Sequence, residues 1–167
     1  MARYVLTDAS PLIGLAIVGG LGWLKPLFGT VWMPSEVRRE VLPGLGLPGE
    51  SAIDRAMKAG SVRQWRRVAA AVKPELPELD EGESACIRIA LARVSRGDEV
   101  LLLMDERAGR AVAAERGLRV AGTAAVIGLA KTKGLIPSAK TAFALLHDSD
   151  FRIAPNVIRT VLAHTGE

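Results

Sequence analysis

An α/β fold, with a central parallel sheet covered by helices on both faces, is what this 167-residue sequence predicts. Strand-like and helix-like segments alternate along the chain. Two of the strands, YVL at Tyr4 to Leu6 and VLLLM at Val100 to Met104, are apolar throughout. Each of the two runs into an acid placed just before a helix, Asp8 in YVLTDASPLI and Asp105 in VLLLMDERAGR. If both strands are parallel in one sheet, both acids share its carboxyl edge, where ligands of open α/β sheets bind.

The first strand, Arg3 to Asp8, is rich in residues that suit a pleated, half-buried surface. Ser10 before Pro11 then reads as an N-cap followed by proline at the first helical position, so Asp8 is not needed as the cap. That helix runs to about Val18, where glycines 19, 20 and 22 break the pattern. LGWLKPLF is a short helical turn leading to a strand at Thr30 to Met33, and Pro34 opens the next helix. In PSEVRREVL, Val37 and Val41 lie one turn apart and mark the buried side, leaving Glu36, Arg38, Arg39 and Glu40 on the flanks or outside. Periodicity alone does not single out Glu40.

PGLGLPG, Pro43 to Gly49, is a loop, and Glu50 to Ala59 a helix ending at Gly60. Ser61 to Leu79 is the least readable segment. Arg63, Arg66 and Arg67 around Trp65 would suit phosphate contacts with base stacking. A solvated basic face with Trp65 packed inward accounts for the same residues and is favoured. VKPELPEL is extended, because each proline restricts the residue before it.

The most informative periodicity lies in the helix from Glu81 to Arg96. Cys86, Ile87, Ala90, Leu91 and Val94 form one apolar stripe. At ~100° per residue, Glu83 falls near the centre of that stripe and Glu81 on the opposite side. A carboxylate aimed inward needs a partner or a cation. A place in the first turn, complementing the helix dipole, is the alternative. Cys86 reads as a small core residue, since no histidine is placed to activate it. Beyond the strand Val100 to Met104, a helix runs from Arg107 to Arg116, LRVAGT supplies a short strand, and Thr123 caps the helix Ala124 to Lys133. Helices at Ser138 to His147 and Pro155 to His164 complete the chain.

Composition narrows the class. With 49% apolar and 24% charged residues, the chain is that of an ordinary globular protein of one domain, 1–167. The balance of 22 Lys and Arg over 18 Asp and Glu modestly favours anionic partners such as nucleic acid. One cysteine excludes an internal disulfide, and two histidines, 147 and 164, exclude a zinc-type cluster. A reducing cytoplasm is the expected compartment. The uncharged run from Ala9 to Leu24 is 16 residues long, short of the ~20 that span a bilayer, and is broken by proline and glycine.

Taken together and in order, DASPLI, MPSEVRREV, LDEGESA, LLLMDERAGR, LIPSAK and DFRIAPNVI resemble the PIN-domain family over nearly the whole chain. The resemblance implies a three-layer α/β/α PIN-like fold and a metal-dependent ribonuclease, with carboxylates around Mg²⁺ or Mn²⁺. By position these are Asp8, Glu40, Glu83 and Asp105. Hard divalent cations take oxygen ligands of this kind. Two features depart from the family pattern: Glu83 stands where many PIN proteins have Asp, and no further Asp follows Asp105 in the usual region. The size is similar to that of toxin ribonucleases of the VapC type, which implies an RNA substrate, a small antitoxin partner and a homodimer, with no membrane association. Two other classes stay open: a PIN-like module that binds RNA or protein without cutting, and a receiver-like signalling domain. The latter lacks a clear match to its central acid and later lysine.

Overall fold

A computed structural model describes residues 2–66 and 74–167. Five strands form one all-parallel sheet in the order β3-β2-β1-β4-β5: β1 Tyr4–Thr7, β2 Val31–Met33, β3 Val62–Gln64, β4 Val100–Leu103 and β5 Arg119–Ala121. The chain moves outward from β1 to β3, then returns to the other side of β1 for β4 and β5. The order therefore reverses between β1 and β4, and this crevice is where open α/β sheets bind ligands. Val5, Leu6, Val31, Leu102 and Leu103 are almost wholly buried, as expected of parallel strands covered on both faces.

The covering helices are α1 Ala9–Ile17, α2 Leu24–Phe28, α3 Ser35–Val41, α4 Glu50–Lys58, α5 Glu81–Val94, α6 Arg107–Glu115, α7 Thr123–Thr132, α8 Ala139–His147 and α9 Pro155–Thr165. The architecture is the predicted three-layer α/β/α arrangement. A 3₁₀ turn at Leu21–Trp23 leads into α2. α5 packs on β1 and β4, and against α3 and α6, so the elements that carry or lead into the candidate acids are brought together. A satellite core of Ala124, Ile127, Phe143 and Leu146 joins α7 to the α8–α9 hairpin.

Two local expectations are corrected. Ser10 does not cap α1: the helix begins at Ala9, with Asp8 in the N-cap position and Ser10 and Pro11 inside the first turn. Asp8 is still tied to the sheet through its N–H to the Leu103 carbonyl (3.0 Å), so the chain turns from strand to helix with no spacer. Pro11 is tolerated there because the first four helical N–H groups have no partner within the helix. Thr123 does not cap α7 either. The N-cap is Gly122, and the Thr123 side chain is engaged elsewhere. β3 is an edge strand inside the segment that reads poorly in sequence. Its three residues alternate too briefly to show a period. At the far end of the α5 stripe, Val94, the last residue of the helix, is 44% exposed.

Trp65 packs inward, edge-on to Tyr4 (5.5 Å between centroids) and to Trp32 (5.6 Å), while Arg63 and Arg66 are exposed. Arg67, Val72 and Lys73 lie outside the described residues. Cys86 is fully buried, and burial pushes its thiol far up, out of the range of a nucleophile. His147 and His164 are on the surface. Among the described residues no single helix is long and apolar enough to cross a membrane. α1 and the segment through α2 qualify only as a pair, and they are bent by 113°.

Candidate metal centre

Asp8 leaves the carboxyl end of β1, the central strand, and is 2% exposed. Its Oδ1 has no hydrogen-bond partner. A buried carboxylate oxygen in that state is expensive, and it calls for a proton or a cation. Burial is the main influence on its acidity. The Ala9 amide opposes it, but Asp80, Glu83 and Glu40 add repulsion, and the pKa rises from 3.8 to about 7.

α5 supplies the opposing acids. Asp80 is its N-cap and Glu83 its third residue, and the two form a reciprocal capping box. The Asp80 Oδ1 accepts from the Glu83 N–H (2.8 Å), and Glu83 Oε2 accepts from the Asp80 N–H (3.2 Å). Glu83 thus serves the helix start and is also buried, 4% exposed, as the apolar stripe predicts. Its pKa is raised by burial first, opposed by the Asp80 amide, with Asp80, Glu106 and Glu40 adding repulsion. Two glycines make the close approach possible. A Cβ on Gly82 would stand 3.0 Å from Asp8 Oδ1 and 3.5 Å from Asp80 Oδ1; one on Gly109 of α6 would stand 2.9 Å from Glu83 Oε1.

Glu40 lies in the last turn of α3 and is exposed as a residue. Burial of its carboxyl and the charge of Asp80 raise its pKa. Asp105 follows β4 and behaves differently. Its Oδ1 accepts from the Thr123 N–H and its Oδ2 from the Thr123 hydroxyl, both at 2.7 Å. Burial raises its pKa, while these bonds and the nearby Arg110 guanidinium lower it. The structure therefore couples Asp8, Glu40 and Glu83 with one another and with Asp80, and holds Asp105 at the same sheet edge with partners of its own.

A sequence model of the DUF3368 family, described as a PIN domain, matches residues 4–167. The chain belongs to the PIN-domain family. No curated protein matches it. PIN domains are generally nucleases acting on phosphodiester bonds, and they typically use divalent metal ions.

The residues of this PIN domain can be tested against such an ion. Among the described residues no group of three or more His, Cys, Asp or Glu is gathered closely enough to enclose a metal directly. The donor set is nevertheless all carboxylate oxygen, the charges acting on Asp8 and Glu83 are acidic, and Asp8 Oδ1 is unpartnered. That combination fits Mg²⁺ or Mn²⁺, which bind through one or two carboxylates and keep several waters. It does not suit a zinc-type closed cage.

Asp80 and Glu106 are the acids that reading the sequence for its site left out. The signal for Asp80 was present as D-E-G-E, an N-cap followed three residues later by glutamate at the head of an apolar stripe. Glu106 has no comparable signal, because its influence on Glu83 depends on how α6 packs against α5. Removing the cap has a modest expected effect: Asp80→Ala lowers stability by about 0.5–2 kcal/mol in urea melts at high salt, where repulsion is screened. Asp80→Asn, which keeps an acceptor, loses less. Equal losses in the two variants would show that the cap is not the source.

Proposed function

We propose that residues 1–167 form a single nuclease domain that hydrolyses RNA with Mg²⁺ or Mn²⁺, held by Asp8, Glu40, Glu83 and Asp105, and that it is the toxin of a toxin–antitoxin pair. The observation that carries the metal-centre reading is the buried Asp8 carboxylate, with one oxygen unpartnered, set against acids from α3 and α5 at the switch point of the sheet. When bound, a divalent cation supplies polarisation of the attacking water and neutralises charge on the phosphoryl oxygens. The protein's part is positional. The capping box holds Glu83 and Asp80 on the first turn of α5, and the glycines at 82 and 109 let helix backbone come close to the carboxylates. Arg38 and Arg39, exposed on the same turn of α3 as Glu40, offer contacts to RNA phosphates beside the acids.

The reading places the protein in the cytoplasm as a homodimer with a small antitoxin. Complementary charge between an acidic antitoxin segment and the exposed arginines would speed association and make it salt-sensitive. A PIN-like module that binds RNA or protein without cutting is the competing reading, and it is favoured by the spacing of the acids, no three of which among the described residues are gathered closely enough to enclose an ion. The deciding experiment is incubation of the purified protein with single-stranded RNA in Mn²⁺, Mg²⁺ or EDTA. Cleavage with either ion and none with EDTA is expected. RNA that is retained but uncut in Mn²⁺ would establish the competing reading, and chelator-resistant cleavage would defeat the metal centre. Expression of this chain without its neighbours should arrest growth if it is a toxin.

A further inference from the structure

Thr123 is wholly buried, yet its hydroxyl serves neither α7 nor the core. Both of its donors go to one carboxylate, the N–H to Asp105 Oδ1 and Oγ1 to Oδ2, each at 2.7 Å. Short bonds to an ionised acceptor are the strong kind. The donating amide is also the first of α7, at the positive end of its dipole. A carboxylate accepts at about four positions, so Thr123 takes one on each oxygen and leaves others free.

The backbone beside that clamp also confines Asp105. A Cβ on Gly122 would stand 2.8 Å from Asp105 Oδ1 and 3.1 Å from Arg110 Nη1, and that arginine is itself anchored by donating to the Met104 carbonyl at 2.9 Å. Asp105 is therefore held in one orientation by a two-point clamp, with a glycine next to it where a Cβ would crowd the carboxylate. A fold staple between β4 and α7 would need one hydrogen bond; two converging on the two oxygens set the plane of the group.

From this geometry we infer that Thr123 is a positioning residue for the metal centre, fixing the Asp105 carboxylate in the orientation in which its remaining acceptor positions meet a divalent cation. The inference rests on the metal-centre reading of the acidic edge. Outer-shell partners of metal-binding carboxylates act in this way, and losing one typically weakens metal affinity ~10–100-fold.

The test is calorimetric titration of the full chain with Mn²⁺, alongside thermal melts in EDTA. Thr123→Val keeps the shape and the backbone amide but removes the hydroxyl donor. It is expected to weaken Mn²⁺ binding ~10–100-fold. Thr123→Ser restores the donor and should return the affinity to near that of the parent. Gly122→Ala leaves Thr123 intact but crowds the carboxylate, and should weaken binding in the same direction. The double variant should fall short of the product of the two effects, because both act on one group. Thr123→Val with parental Mn²⁺ affinity and a lowered melting temperature would make Thr123 a fold staple and overturn the inference. Should Thr123→Val fail to fold, parental affinity in Gly122→Ala overturns it instead. A parent protein that binds no Mn²⁺ would bring down the metal-centre reading and this inference together, so the two failures are distinguishable.

Discussion

Glu83→Gln is expected to abolish metal-dependent RNA cleavage, by at least about 100-fold, while leaving the domain folded. The substitution separates two tasks that one side chain performs. In the capping box Glu83 Oε2 accepts from the Asp80 N–H, and an amide oxygen accepts equally well at that position. The Glu83 N–H still donates to Asp80, because that bond uses the backbone. What glutamine lacks is the charge that attracts a divalent cation. Glu83→Ala loses charge and capping acceptor alike, so it should reduce stability as well as activity. Cleavage rates and urea midpoints on the three proteins provide the comparison. A Gln variant that retains activity would remove Glu83 from the centre and return it to a purely capping role. One that unfolds would show that its charge is needed structurally.

The second large effect is a reversal of stability with pH and metal at Asp8. In the unfolded chain Asp8 ionises near 3.8, and in the folded protein near 7. Well below pH 3.8 the group is protonated in both states and imposes no penalty. Between about 4 and 7 the unfolded state loses its proton first, so stability falls as pH rises. Above 7 both states are ionised and the penalty is fully developed, on the order of 4 kcal/mol for a shift of this size. Asp8→Asn should therefore be much more stable than the parent at pH 8 in EDTA and nearly equal to it at pH 4. Glu40, Glu83 and Asp105, also shifted upward, leave a residual slope in the variant. Mn²⁺ should reverse the order at pH 8. At one hundred times its dissociation constant the ion adds about 2.7 kcal/mol to the parent by mass action, and the variant should lose most of this gain. Melting curves at pH 4, 6 and 8, with EDTA and with Mn²⁺, decide the matter. Parallel pH slopes in the two proteins would show that Asp8 is not the strained acid.

Both effects trace back to features that differ in how far they could be read in advance. The parallel sheet was legible because β1 and β4 must be apolar on both faces, and because each passes straight into a helix. The inward aim of Glu83 was legible because a helix repeats every 3.6 residues, so one apolar stripe defines the side on which a polar residue is buried. β3 was not, being a three-residue edge strand whose pairing with β2 is a contact between distant segments. The helix starts at α1 and α7 misled for a related reason. Ser10 and Thr123 have the chemistry of caps, but hydrogen bonds from outside the helix, Asp8 to Leu103 and Thr123 to Asp105, fixed where each helix begins.

By itself, the sequence determined the α/β class, the order of the elements other than β3, the family and the acids that stand at the ends of β1 and β4. Those properties depend on local periodicity and on residue order, both of which are written along the chain. Only the tertiary structure decided how the acids are grouped. It placed Asp80 and Glu106 among the charges acting on Glu83, left Asp8 Oδ1 without a partner, and gave Asp105 to Thr123. The reason is physical: repulsion and desolvation depend on through-space distance and burial, and residues far apart in sequence come to share both only when the sheet and its helices close around them.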